Sequence, residues 1–244
     1  MKGQKIWAMV FVYIVVTGAF LGLACLGSEV ASVLAERMPV ERYHTIVIDP
    51  GHGGEDGGAT SCNGKPESGY NLEIGLKLRD LLQLLGFRTS MTRTRDESVY
   101  KEGSTIAAKK VSDLKERVRM VNSAENAILV SIHQNTFSDG QYHGAQVFYS
   151  PKGESQALAE AMQQAFCSTV NPGSNRKIKK AEGIYLMQHI DCTGILVECG
   201  FLSNGREDAL LQTDAYQRKL ACVMAGTLSQ FLTEAPHTAI IKEK

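Results

Sequence analysis

The stretch Ile46-Val-Ile-Asp-Pro-Gly-His-Gly-Gly54 restricts the fold more than any other part of the chain. Three consecutive apolar residues suit a strand buried on both faces. Asp49-Pro50-Gly51 cannot continue it, because proline lacks an amide proton and glycine permits positive φ. The chain must turn there, and it carries His52 into a glycine-rich turn at the strand's carboxyl end. Open α/β sheets bind ligands at that edge. His52 is therefore a candidate metal ligand or acid–base group, though a lone turn histidine does not carry that reading by itself.

The strand is the first of several. Residues 53–66 form a glycine-rich loop that lacks the spacing of a phosphate-cradling motif. From Glu67 the pattern turns helical: Leu78, Leu81, Leu82 and Leu85 follow i, i+3, i+4, i+7, and Gly86 stops the helix. Residues 87–92 read as the next strand, and strand–helix–strand with short connections predicts a right-handed parallel unit. Residues 93–111 read as a polar connection. Asp113 and Glu116 then form a capping-box-like start to a helix with Leu114, Val118 and Val121 on one face. Ala127–Ile132 is a second buried strand, and it too ends on a histidine, His133, followed by Gln134 and Asn135.

Further along, residues 144–149 alternate like an edge or half-buried strand, and Leu158, Met162, Ala165 and Phe166 mark a helix. The Gly- and Lys-rich segment 171–180 reads as a solvated loop able to meet an acidic ligand. Residues 184–187 suggest a short strand, and Gly194–Cys199 a longer one that delivers Glu198. Asn204 with Glu207 is a second capping box. Tyr216, Leu220, Val223, Met224, Leu228 and Phe231 give the closing helix. Alternating strands and helices, with no internal repeat, predict the α/β class: a single three-layer domain with a mostly parallel sheet.

Lys+Arg and Asp+Glu both number 26 in 244 residues, so charge favours neither nucleic acid nor an acidic polymer as partner. One segment departs from globular composition. Ile6–Leu26 carries no charge, follows Lys2 and Lys5, and matches the ~20 residues that span a bilayer. Positive charge before it and Glu29 and Glu36 after it predict that the remainder lies outside the cytoplasm. Its length favours an uncleaved anchor, whereas Val33-Leu34-Ala35 offers a signal peptidase small residues. Cys25 is poorly placed for lipidation. The expected organisation is a signal or anchor at 1–30, a linker at 31–43, a catalytic domain at 44–233 and a frayed tail at 234–244. Cys62, Cys167, Cys192, Cys199 and Cys222 follow no disulfide or zinc-ribbon spacing.

Three separate strands thus end on residues able to bind a metal or move a proton: His52, His133 and Glu198. In a parallel sheet those ends share one edge. A catalytic zinc takes three protein ligands and leaves one position open, and His₂Glu is a known set. Glu67, opening the first helix beside the glycine loop, can lean back towards His52, so it is assigned to the metal. Glu198 lies on an apolar strand where an unpartnered carboxylate is costly, and it is assigned as general base, then acid. The plainer alternatives are that Glu67 is a helix N-terminal charge and that Glu198 forms a buried ion pair with an arginine or lysine.

With these residues in view, the chain resembles the zinc-dependent N-acetylmuramoyl-L-alanine amidases of the amidase-3 family. The matching motifs run in order: Val47 to Gly54, Glu67 before Asn71-Leu72, Met91-Thr-Arg93, Leu114 and Arg117, Ser131-Ile-His133-Gln-Asn135, and Val197-Glu-Cys-Gly-Phe-Leu-Ser-Asn204. The resemblance implies a mixed, mainly parallel sheet with helices on both faces. It implies Zn²⁺ held by His52, Glu67 and His133, with Glu198 as the catalytic glutamate. The implied reaction is hydrolysis of the amide between the lactyl group of N-acetylmuramic acid and L-alanine of the stem peptide in peptidoglycan. Asn135 orients the substrate or holds His133. Thr136 stands where the family commonly has Ala, and Ser68 where Lys is usual. The short 136–143 link leaves no room for the inhibitory helix of some relatives, so control is expected from an extracytoplasmic protein partner or from zinc occupancy. A hydrophobic N-terminal segment beside a catalytic domain without wall-binding repeats looks like the spore-cortex amidases, which act for muramic lactam formation and germination. The alternatives are a vegetative wall amidase, a zinc carboxypeptidase whose cationic clamp is Arg93, Arg117 or Arg176, and a metal-free wall-binding domain.

Overall fold

The computed structural model describes residues 44–234. The expected anchor and linker lie outside the described residues, as does the tail from 235. Among the described residues no helix is long and apolar enough to cross a membrane.

Six strands form one sheet: β1 (Thr45–Pro50), β2 (Arg88–Met91), β3 (Ala127–Asn135), β4 (Gln146–Tyr149), β5 (Lys179–Lys180) and β6 (Thr193–Phe201). Their order is β2-β1-β3-β6-β4-β5. Every pairing is parallel except β4 with β6, so the sheet is mixed and mainly parallel. The strands alternate with α1 (Glu67–Leu84), α2 (Ile106–Asn122), α3 (Ser155–Thr169), α4 (Tyr185–His189), α5 (Gly205–Leu211) and α6 (Asp214–Glu234). Helices α1 and α3 both pack on α6. On the other face Val47, Leu129 and Leu196 of three strands meet Val121 of α2 and Leu186, Met187 and Ile190 in and after α4. The apolar runs of β1 and β3 are buried on both sides, as continuous rather than alternating hydrophobicity requires.

Three local expectations are corrected. Helix α2 starts at Ile106, seven residues before Asp113, because the Thr105 side chain accepts from Ala108 N and caps it there. Its first turns leave Ile106 and Val111 exposed, so they lack the buried stripe that marks a helix in sequence. Residues 184–187, expected as a strand, instead lead into the short helix α4 at Tyr185–His189. The segment expected to stay a loop through Lys180 contributes the two-residue strand β5. Asn204 does cap α5, accepting from Arg206 N and Glu207 N. The Glu207 carboxylate instead accepts from Gly144 N and Phe201 N, 2.9 and 2.8 Å away. The five cysteines among the described residues are free thiols.

Candidate metal centre

Two arginines from outside the turn after β1 fix where His52 points. The side chains of Arg93 and Arg117 are buried and hold the turn by its carbonyls. Arg93 donates to Pro50 O and Gly51 O at 2.9 and 3.0 Å. Arg117 donates to Pro50 O at 3.0 Å and to His52 O at 2.7 Å. His52 itself is left-handed, with φ 60°, a conformation that a non-glycine residue adopts only when its surroundings fix it. The charge of Arg117 is met by Asp49, 2.6 Å away and likewise buried. Burial pushes the Asp49 carboxyl up, but the Arg117 guanidinium and the hydroxyls of Thr92 and Ser131 outweigh it and hold it at about 2.

Glu67, first residue of α1, reaches between the two histidines. Its Oε1 accepts from His133 Nδ1 at 2.9 Å, from Gln134 N at 3.1 Å and from Asn71 Nδ2 at 3.3 Å. Its Oε2 accepts from Ala59 N at 3.0 Å and lies 3.3 Å from His52 Nε2. Burial raises the carboxyl, yet these donors and the two imidazoles bring it down to about 2, so it is ionised at neutral pH. Burial also works to lower His133, and Glu67 reverses this and raises it. The imidazoles of His52 and His133 stand edge to face with centroids 5.0 Å apart. One ligand atom each from His52, Glu67 and His133 lies within 4.8 Å of the other two.

Glu198 is the register neighbour of His133 across the β3–β6 pair. Neither residue ends its strand; both stand a little before the ends, at Asn135 and Phe201. Glu198 Oε2 is shut off from solvent and accepts no hydrogen bond. Among the described residues it forms no ion pair with lysine or arginine, so the buried-pair alternative fails. Burial pushes its carboxyl up to about 7, which His133 opposes and Glu67 reinforces.

The donor set fits zinc. Two imidazoles and an ionised carboxylate converge, offering one negative charge and nitrogen donors to a dication, and a buried carboxylate oxygen with no partner sits beside them. His52 Nε2 faces Glu67 while its Nδ1 donates to Asp56 Oδ2 at 3.0 Å, an arrangement that fixes the tautomer a metal needs. Glycine lines the centre for steric reasons. A Cβ on Gly51 would stand 2.1 Å from His133 Nε2, and one on Gly58 2.6 Å from Glu67 Oε2.

All four expected chemical residues are therefore brought together. Asn135 lies at the register shift after His133, where its carbonyl accepts from Leu202 N at 2.8 Å. Sequence reasoning missed the part played by Asp56, which only the hydrogen bond to His52 reveals. It also offered Arg93 and Arg117 as a clamp for substrate, whereas both are consumed in holding backbone.

A family model described as N-acetylmuramoyl-L-alanine amidase matches residues 46–230. The germination-specific N-acetylmuramoyl-L-alanine amidase of Bacillus subtilis is 38% identical over 192 residues, covering 78% of this chain and 80% of its own. Among solved structures, the CwlD amidase from Clostridioides difficile in complex with the GerS lipoprotein is 36% identical with a TM-score of 0.74, covering 78% of this chain and 98% of that one. An N-acetylmuramoyl-L-alanine amidase from Clostridium difficile 630 is 28% identical with a TM-score of 0.68, over 80% and 99% of the two chains. The chain belongs to the N-acetylmuramoyl-L-alanine amidase family.

Proposed function

We propose that this protein hydrolyses the amide between N-acetylmuramic acid and L-alanine in peptidoglycan, with His52, Glu67 and His133 as zinc ligands and Glu198 as the proton carrier. The observation that carries the reading is the pairing of a three-residue ligand set with an orphaned carboxylate oxygen in register beside it. Zinc bound there supplies a Lewis acid and a water acidic enough to be deprotonated near neutral pH. Glu198 would take a proton from the attacking water as the water's oxygen adds to the lactyl carbonyl. It then returns the proton to the nitrogen as the C–N bond breaks, giving a carboxylic acid and a free L-alanine amine. Its place beside the ligand set, with an oxygen that no other group claims, suits both halves of that transfer. Asn135, just past His133 on β3, orients the substrate.

The cortex of the spore is the proposed setting, supported by the 38% identity to a germination-specific relative. An extracytoplasmic lipoprotein is the proposed regulator, supported by the complex seen for the Clostridioides difficile neighbour. The N-terminal segment would then keep the enzyme at the outer membrane face or be removed on export.

The test uses the full-length chain on cortex and vegetative peptidoglycan, with and without zinc, and with products read by mass spectrometry. Peptides beginning in L-alanine are expected, and Glu198→Gln should lower their release by about a hundredfold to ten-thousandfold while zinc stays bound. Release of single carboxyl-terminal amino acids instead would move the assignment to a carboxypeptidase. Normal muramic lactam in spores of a deletion strain would remove the cortex role.

A further inference from the structure

We propose that Arg176 receives a carboxylate of the stem peptide and so decides which stem peptides the enzyme accepts, an inference that rests on the amidase reading above. The argument starts from register. Glu198 is paired with His133 on one side and with Gln146 on the other, so the three side chains occupy one row across β3, β6 and β4. Paired residues on neighbouring strands project from the same face of the sheet. The next group along that row is Arg176, whose Nη1 donates to Gln146 Oε1 at 3.3 Å.

Arg176 is held on two more sides. Its Nε donates to His143 O at 2.9 Å, and its guanidinium carbon stands 4.8 Å over the Phe201 ring. All of these partners are neutral, and among the described residues Arg176 forms no ion pair. Two of its five N–H donors are spent on uncharged oxygens, which leaves a planar, always-charged fork fixed in place with donors in hand. The neighbouring carboxylate of Glu207 does not take them, because its oxygens accept from Gly144 N and Phe201 N.

A cleft of about 520 Å³ opens at this guanidinium, lined by Tyr142, His143, Asn171, Ser174 and Arg176 among others, and no acidic residue borders it. Arg176 brings the charge to this lining, and a fixed guanidinium with donors in hand suits a carboxylate. Distance selects which anion. Two strand spacings, roughly 10 Å, separate the backbones of His133 and Gln146, and an extended peptide advances about 3.4 Å per residue. A stem peptide whose scissile nitrogen is at the metal centre therefore brings the carboxylates of its second and third residues into reach of Arg176.

The experiment compares two soluble muramyl peptides that differ only in whether those carboxylates are free or amidated, hydrolysed by the full-length chain. The wild type should favour the free acid by about ten- to hundredfold in kcat/KM, the worth of a charge-assisted hydrogen bond, with the difference mainly in KM. Arg176→Gln should bring that ratio close to one, and Arg176→Lys should restore part of it, because lysine keeps the charge without the fork. Equal rates on both peptides by the wild type, or an equal fall on both in Arg176→Gln, would overturn the assignment of Arg176 while leaving the amidase reading standing. If the wild type releases no L-alanine-terminated peptide from either substrate, the amidase reading fails and takes this inference with it.

Discussion

Glu198 sits at odds with folding, and the conflict has a measurable sign. Its carboxyl ionises at about 7 in the folded chain against 4.5 for the free group, chiefly through burial. A group raised in this way contributes stability that is fully present below about pH 4.5 and is lost as pH rises through 7, because the unfolded chain gives up the proton first. In metal-free protein, Glu198→Gln should therefore match the wild type at low pH and exceed it increasingly above. The gap should reach no more than about 3 kcal/mol by pH 8. Urea unfolding in chelator at pH 4.5 and pH 8 measures it, and a gap independent of pH would show that Glu198 is not held in this way. The sequence carried Glu198 clearly, since Ile195-Leu-Val-Glu198 places a carboxylate in an apolar strand with nothing local to pair it. Asp56 was not legible. It lies in a glycine loop among other polar residues, and only the fold brings its Oδ2 to His52.

At the scale of elements, the centre is made by one helix start and two strands whose spacing leaves no room for a methyl group. Gly51 lies where β1 breaks, and its α-carbon faces the ring of His133 on the neighbouring strand. Gly51→Ala would put a carbon 2.1 Å from His133 Nε2, so the imidazole or the turn has to move. The expected result is a loss of zinc affinity of about tenfold or more, the range seen when support for a metal-binding histidine is disturbed. Competition with a chromophoric chelator reads it directly, and unchanged affinity would mean that the ring escapes without cost. Elements whose apolar residues face the core, such as β1, β3 and α6, were readable from period alone. The first two turns of α2 were not, because Ile106 and Val111 face solvent and Lys109 and Lys110 instead reach Glu55 and Asp56 across the glycine loop. Those ion pairs join segments about fifty residues apart in sequence, and no local pattern announces them.

For the whole molecule, the question is how much of the fold depends on the ion its centre would hold. The three proposed ligands come from the turn after β1, the start of α1 and the last part of β3, just before its end at Asn135. These elements are joined without it: β1 and β3 pair over six residues, and α1 packs on both strands and on α6. Beneath the centre, Asp49 and Arg117 form a separate buried pair that fixes the same turn. The centre is thus laid on a sheet that stands by its own core, unlike small zinc modules in which binding and folding are one event. Chelation should therefore abolish hydrolysis while leaving the far-ultraviolet circular dichroism at 25 °C unchanged. Returning zinc at a hundred times its dissociation constant should add about 2.7 kcal/mol, or roughly 5–10 °C in Tm for a domain of this size. Collapse of secondary structure on chelation would mean that the ion, rather than the paired strands and the Asp49–Arg117 contact, holds the catalytic edge of the sheet together.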